Sequence, residues 1–378
     1  MKVALVYDRV NKYGGAERML EALGEIWPQA PLYTAVYDPE KAPWARRFKI
    51  IPSFLQNIPL APSHHEFLAW ATPLAFTAFD FSGYDVVISV TSAEAKNIIT
   101  KPGTLHICYC LTPTRYLWSG YEHYLAQPGL GFSGRFATSV LKSFIGILRR
   151  WDLIASHRPD VYVAISLAVS DRIKNYYGYE SPAVIYPPVD TDIFKITNSV
   201  SPGRTLIQPY LTVGRLVAYK RFDLVISAFN QLKWNLLVIG TGRDAARLKK
   251  LAGPTIKFID HHLTDAELVN YYNQSRGFVF GGIEDFGIVA AEAQACGLPV
   301  ICPRGSGMAE VVADKKSGVL FDRQDTASLI SALRTCQKTN YDRADCRQQA
   351  LNFSKTKFIK NFRNFVTREY CLYNHPKI

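Results

Sequence analysis

A chain of 378 residues, 48% hydrophobic and 20% charged, is too long for one ordinary core and fits two globular domains. Its formal charge of +12 comes from dispersed basic residues without an RNP-type motif, zinc-finger spacing or a Lys/Arg run, which excludes nucleic acid and leaves anionic small substrates or an anionic membrane surface as partners. Seven cysteines, an odd number with no Cys-x-x-Cys pair, exclude a disulfide framework and a zinc ribbon and point to a reducing compartment.

The first seven residues enter a strand directly and lack a signal peptide's apolar region and cleavage site. In the first half, strands are predicted over 3–7, 32–36, 85–90, 105–110 and 161–165, with helices over 16–27 and 167–177. Tyr13-Gly14-Gly15-Ala16-Glu17-Arg18 lies between the first strand and the first helix, where backbone amides meet phosphates. It is not Gly-x-Gly-x-x-Gly, and no ribose-binding acid follows at the expected distance, which argues against a nicotinamide dehydrogenase. The longest uncharged apolar run, 67–79, contains Pro73 and falls short of the roughly 20 residues that cross a bilayer. Cys108 and Cys110 alternate along a strand toward one face, an ordinary core use.

Over 132–151, Phe136, Val140, Phe144, Ile147 and Trp151 recur at helical spacing among Arg135, Lys142, Arg149 and Arg150. A helix so patterned either lies in a headgroup layer or packs inside its own domain. Tyr186-Pro187-Pro188-Val189-Asp190, followed by the polar stretch 197–204, marks a joint. This divides the chain into 1–186, 187–354 and a terminal segment, 355–378, whose Phe358, Phe362, Phe365 and Val366 share one face and are expected to pack back on the N-terminal domain. Asp190-Thr191-Asp192 reads as linker, not as a metal site; His64-His65 and His261-His262 lack spaced partners.

In the second half, strands are predicted over 210–213, 235–239, 256–259, 278–280, 300–302 and 318–321. Strands alternating with helices predict parallel sheets, so the fold class is α/β with two Rossmann-like domains. A strand ending in Gly214-Arg215, with Lys220 five residues on at a helix start, puts two cations at one crevice, where a diphosphate also meets a helix dipole. Ile239-Gly240-Thr241-Gly242 is a glycine turn that lets backbone approach a ligand. The segment from Gly281 to Val300 sets Glu284 in the loop after a strand and Glu292 eight positions later on the next helix, which Gly297-Leu298-Pro299 ends. Paired carboxylates at the carboxyl ends of parallel strands accept hydrogen bonds from sugar and ribose hydroxyls, the layout of a sugar-nucleotide site. P-loop, nucleophile-elbow and zincin motifs are absent.

These residues, with Gly305-Ser306-Gly307-Met308-Ala309-Glu310, resemble the retaining glycosyltransferases of family 4, of the GT-B fold: two facing Rossmann-like domains with a cleft between them. Thr112-Pro113-Thr114-Arg115-Tyr116-Leu117-Trp118, Asp171-Arg172-Ile173-Lys174 and 186–190 look most like mannosyltransferases that build O-antigen and related polysaccharides. The resemblance implies an N-terminal acceptor domain, a C-terminal donor domain and GDP-mannose as co-substrate, without metal or other cofactor. It implies a lipid-linked oligosaccharide or polysaccharide acceptor. It also implies a cytoplasmic location, with docking on the inner face of the plasma membrane as an option. By resemblance Glu284 holds the transferred sugar, Glu292 the ribose, and Arg215 and Lys220 the diphosphate. Gly14, Gly15 and the amides of Asp285, Phe286, Gly287 and Ile288 complete the donor site. Arg215, Lys220 and Glu284 carry the chemistry, and Leu111, Thr112 and Arg115 face the acceptor. Leu111 stands where the family has a donor-contacting His, Ser119 where it often has Asp, and Ile165 where it has Asn. His106 lies five residues upstream of Leu111 on the same strand. The alternatives of this fold are a sugar-nucleotide 2-epimerase and a weakened, non-catalytic subunit.

Overall fold

The computed structural model describes residues 1–58, 71–126, 134–197 and 208–375. His64-His65, the start of the 67–79 run, most of the polar stretch after Thr197 and the side chains of Arg135, Phe136 and Val140 lie outside the described residues. The chain forms two compact units, Met1–Tyr186 with Phe358–Ile378, and Pro187–Lys357.

The sheet of the first unit consists of β1 (Val3–Tyr7), β2 (Leu32–Thr34), β3 (Ile50–Pro52), β4 (Val86–Thr91), β5 (Leu105–Cys110), β6 (Val161–Ala164) and β7 (Ala183–Val184). Its strands are parallel, in the order β3-β2-β1-β4-β5-β6-β7. Every residue of β1, β4 and β5 is buried, as near-continuous apolar strands of a sheet covered on both faces must be. The chain runs outward from β1 to β3 and then returns to the other side of β1, so the order reverses between β1 and β4. Such a reversal opens a crevice at the carboxyl ends of those two strands.

Local signals set the flanking helices. Ser166 accepts from the Val169 amide to begin the helix Leu167–Tyr177, and Gly178 in left-handed conformation ends it. The terminal helix Lys355–Asn374 buries Phe358, Phe362, Phe365 and Val366, and Phe362 meets both Tyr109 and Trp27 edge-on.

The second unit carries β8 (Tyr210–Val213), β9 (Leu236–Ile239), β10 (Ile256–Ile259), β11 (Phe278–Val279), β12 (Val300–Pro303) and β13 (Gly318–Phe321), all parallel in the order β10-β9-β8-β11-β12-β13. It reverses between β8 and β11. Leu211 pairs with Phe278 across that reversal, so the loops after these strands emerge side by side.

His106 in β5 is fully buried, with its Nε2 at 2.8 Å from the Ser89 hydroxyl. Burial pushes its pKa down to about 3. A histidine held neutral in the fold but titrating near 6.5 when unfolded favours folding above about pH 6.5, and that contribution fades as pH falls toward 3. Urea unfolding at pH 7.5 and pH 5 is expected to show a loss of about 2 kcal/mol in the wild type that His106→Gln removes. An equal loss in both proteins would contradict this assignment.

Candidate functional site

The site in the second unit is built at the β8/β11 reversal. Gly214 and Arg215 follow β8, a single helical turn over Ala218–Lys220 comes next, and Arg221 at φ 55° turns the chain into the helix Phe222–Leu232. Glu284 lies beyond β11, and its carboxylate meets Lys220 Nζ at 3.0 Å with both side chains largely buried. Gly282 makes this approach feasible, because a Cβ there would lie 2.8 Å from the Lys220 backbone. The Phe280 ring sits beneath the ammonium, 5.7 Å from Nζ. Ser306 and Gly307 clasp the loop from the other side. The Glu284 amide donates to the Ser306 hydroxyl at 2.9 Å, and the Gly307 amide donates to the Glu284 carbonyl at 2.8 Å.

The other expected donor residues are spread around this pair. Asp285 continues the loop, Phe286 is buried edge-on against Phe353 so that only its backbone is available, and Gly287 caps the helix Ile288–Ala295 without a side-chain bond. A backbone N-cap of this kind presents helix amides toward an anion. Glu292 sits one turn into that helix and is buried, accepting from the Tyr272 hydroxyl at 3.3 Å. It thus stands behind the loop, whereas Glu284 stands on it. Arg215 is exposed and donates to the Tyr219 hydroxyl at 3.3 Å. Gly240, expected to let backbone approach a ligand, instead admits the neighbouring loop: at φ 144°, a Cβ there would strike the Gly214 carbonyl.

In the first unit, Gly14 and Gly15 open the helix Gly15–Ile26, but a carboxylate already occupies that end. Glu17 is buried in the first turn, accepts from the Tyr7 hydroxyl at 2.6 Å and reaches within 3.2 Å of where a Gly14 Cβ would stand. Leu111 is buried and extends the β4–β5 ladder through its amide to the Thr91 carbonyl. Thr112 accepts from Arg172 Nη1 at 3.2 Å, and Arg115 packs over Gly120. His106 is sealed in the core beneath this segment and does not replace a side chain at Leu111.

A buried charge network missed by sequence reading holds this motif. Lys96 Nζ pairs with Asp152 at 2.6 Å and also donates to the Ala93 carbonyl and the Thr114 hydroxyl. Asp152 further accepts from Thr114, Trp118 and Tyr177 at 2.7, 2.7 and 2.9 Å. Burial alone would raise the Asp152 carboxyl, but the Lys96 charge and these hydrogen bonds hold it below its ordinary value. A second cluster joins Arg9, Glu94 and Tyr116, where burial raises the Glu94 carboxyl despite the adjacent guanidinium. No motif flags Arg9, Glu94, Lys96 or Asp152. The available signal for Arg9, Glu94 and Lys96 is their position, just beyond the carboxyl ends of β1 and β4.

Residues 208–353 match the family model of the glycosyl transferases group 1. A D-inositol 3-phosphate glycosyltransferase of Thermobifida fusca is 33% identical over 180 residues, 41% of this chain and 42% of the relative. A GDP-mannose-dependent phosphatidylinositol monomannoside mannosyltransferase of Corynebacterium glutamicum is 26% identical over 234 residues, 52% of this chain and 60% of that one. The matched part thus spans less than half the length of the first of these relatives. Among solved structures, HepE of Anabaena in complex with UDP and glucose aligns with TM-score 0.69 at 17% identity, over 97% of this chain and 99% of that chain. That likeness shows the fold: two parallel-sheet units of the GT-B type. The expectation of family 4, and within it the O-antigen mannosyltransferases, is corrected. The match is to the group 1 model, and the similar proteins include one that depends on GDP-mannose and one solved with UDP.

Proposed function

We propose that the chain is a retaining glycosyltransferase that moves a hexosyl group from a nucleoside-diphosphate sugar, GDP-mannose in our reading, to a lipid-linked or polysaccharide acceptor. The observation that carries this reading is the Lys220–Glu284 pair, set across the β8/β11 switch point within the group 1 match. Glu284 accepts hydrogen bonds from the transferred sugar, and the helix beginning at Ile288 presents its amides to the anionic part of the donor. As the bond between anomeric carbon and diphosphate breaks, negative charge grows on the departing oxygen, where Lys220 and Arg215 stabilise it. The acceptor hydroxyl attacks from the same face and gives its proton to the leaving diphosphate, so orientation and charge stabilisation supply most of the catalysis. Buried Glu292 contributes the polar wall on the ribose side.

Incubation with radiolabelled GDP-mannose, UDP-glucose and a lipid extract tests the reading. Transfer of label to the extract supports it, whereas release or isomerisation of the sugar with no acceptor labelled would support an epimerase instead.

Membrane docking belongs to the same proposal. No helix among the described residues is long and apolar enough to cross a bilayer. The helix Gly134–Ser156, however, leaves Phe144, Ile147, Trp151 and Ile154 about half exposed or more, at spacings of three and four residues. Lys142 and Arg150 are exposed beside them, and the helix's one acid, Asp152, is turned inward to Lys96. Arg149, expected to join the basic face, instead donates to the Leu117 carbonyl and lies over the Trp118 and Tyr121 rings. Lys142→Glu with Arg150→Glu is expected to weaken sedimentation with phosphatidylserine vesicles about tenfold or more, from about 1 kcal/mol per basic residue. Equal absence of wild type from anionic and neutral pellets at low salt would contradict docking.

A further inference from the structure

The first unit repeats, at its own reversal, the arrangement found in the second. Arg9 lies just beyond β1 and Glu94 just beyond β4, the two strands between which the order turns; Lys220 and Glu284 lie beyond β8 and β11, the corresponding strands. Arg9 Nη2 donates to one Glu94 oxygen at 2.7 Å, and the Tyr116 hydroxyl, from the segment after β5, donates to the other at 2.9 Å. Neighbouring Asp8 fixes the loop that carries Glu94, accepting from the Thr91 hydroxyl at 2.7 Å and from the Ser92 and Ala95 amides at 2.8 Å each. The Arg9 Nε is buried and has no hydrogen-bond partner among the described residues.

A parallel sheet has no structural need for such a group at the carboxyl ends of its strands. Burying two charges costs desolvation that their attraction only partly returns, and a donor left without an acceptor adds to the cost. At a switch point, where parallel sheets bind ligands, that cost is offset once a ligand supplies the missing partners. A carboxylate beside a guanidinium offers an acceptor and a donor a few ångströms apart. Two neighbouring hydroxyls of a sugar ring match that pair, one donating and one accepting.

We propose that Arg9, Glu94 and Tyr116 form the acceptor subsite and take a pyranoside through two adjacent hydroxyls. This rests on the glycosyl-transfer reading and narrows its acceptor to a pyranose ring. Glu94 receives a hydrogen bond from one hydroxyl, Arg9 donates to the next, and Tyr116 keeps the carboxylate aimed. No bond is made or broken by these residues.

Transfer from labelled donor to the methyl α-glycosides of mannose, glucose, galactose and rhamnose tests the proposal. Arg9→Gln and Glu94→Gln are expected to raise the KM for the best of these about tenfold or more, the range of a lost charged hydrogen bond. Tyr116→Phe, which removes no charge, should raise it less. The nucleotide dissociation constant, set in the other unit, should stay within about twofold in all three variants, a split that a merely structural role would not produce. Unchanged KM in both charge variants would overturn the proposal, as would parallel loss of nucleotide binding. So would failure of nucleotide-binding wild type to glycosylate any of the four pyranosides. Wild type that binds no nucleotide would instead bring down the transferase reading, and the subsite with it.

Discussion

Lys220→Ala is expected to lower kcat by about 100- to 1,000-fold while leaving nucleotide affinity comparatively intact. Its ammonium is held in one place by Glu284 at 3.0 Å, by the Phe280 ring beneath it and by the close approach of Gly282 to its backbone. A charge so fixed needs little reorganisation when negative charge grows on the leaving diphosphate, and removing one such donor costs about 2.7–4 kcal/mol of barrier. Lys220→Arg restores charge but not shape, since a planar guanidinium replaces a point charge in a tight space, and should recover only part of the rate. Glu292→Ala is different in kind. It removes a carboxylate buried on Tyr272, and on our reading of the ribose side it should weaken nucleotide binding more than turnover. Steady-state kinetics beside binding measurements separate the two. Equal effects of both substitutions on kcat and on affinity would contradict the division of roles.

The second large effect is on stability. Lys96→Met is expected to destabilise the first unit by about 3–5 kcal/mol, because it leaves Asp152 buried without its cation. Pairing it with Asp152→Asn should recover part of the loss, since Thr114, Trp118 and Tyr177 then face a neutral group. The wild-type contribution also has a pH sign. Asp152 titrates below its ordinary value in the fold, so its stabilisation is present above about pH 3.9 and fades as pH falls through the lower folded value. Urea unfolding of the first unit at pH 7 decides the matter. A loss below about 1 kcal/mol for Lys96→Met would show that the pair is not structural.

The residues that the structure brings together in the second unit were legible because they are close in sequence. Glycines, Glu284 and the helix after it fall within a dozen residues, and Lys220 could be placed beside them once Gly214-Arg215 was read as a strand end. Structure added what spacing does not show. Glu292 turns toward Tyr272, Phe286 belongs to the core, and the Gly240 turn packs on the Gly214 carbonyl.

The first unit was less readable for a physical reason. Its charged groups meet across 85 residues for Arg9–Glu94 and 56 for Lys96–Asp152, and none belongs to a short motif. Recognising them required the strand order. That order was hidden because β3 and β7, of three and two residues, are too short to show a period. Arg149 illustrates the complementary limit. Helical spacing places it with the basic face, and only the structure shows its side chain turned to Leu117 and Trp118.

Binding of a nucleoside-diphosphate sugar at the β8/β11 switch point of the second unit can be measured by calorimetric titration of the whole chain with GDP, UDP, GDP-mannose and UDP-glucose. One-to-one binding of at least one of these nucleotide pairs is expected, weakened by Glu292→Ala. A folded protein that gives no binding heat and no competition with any of the four would contradict it.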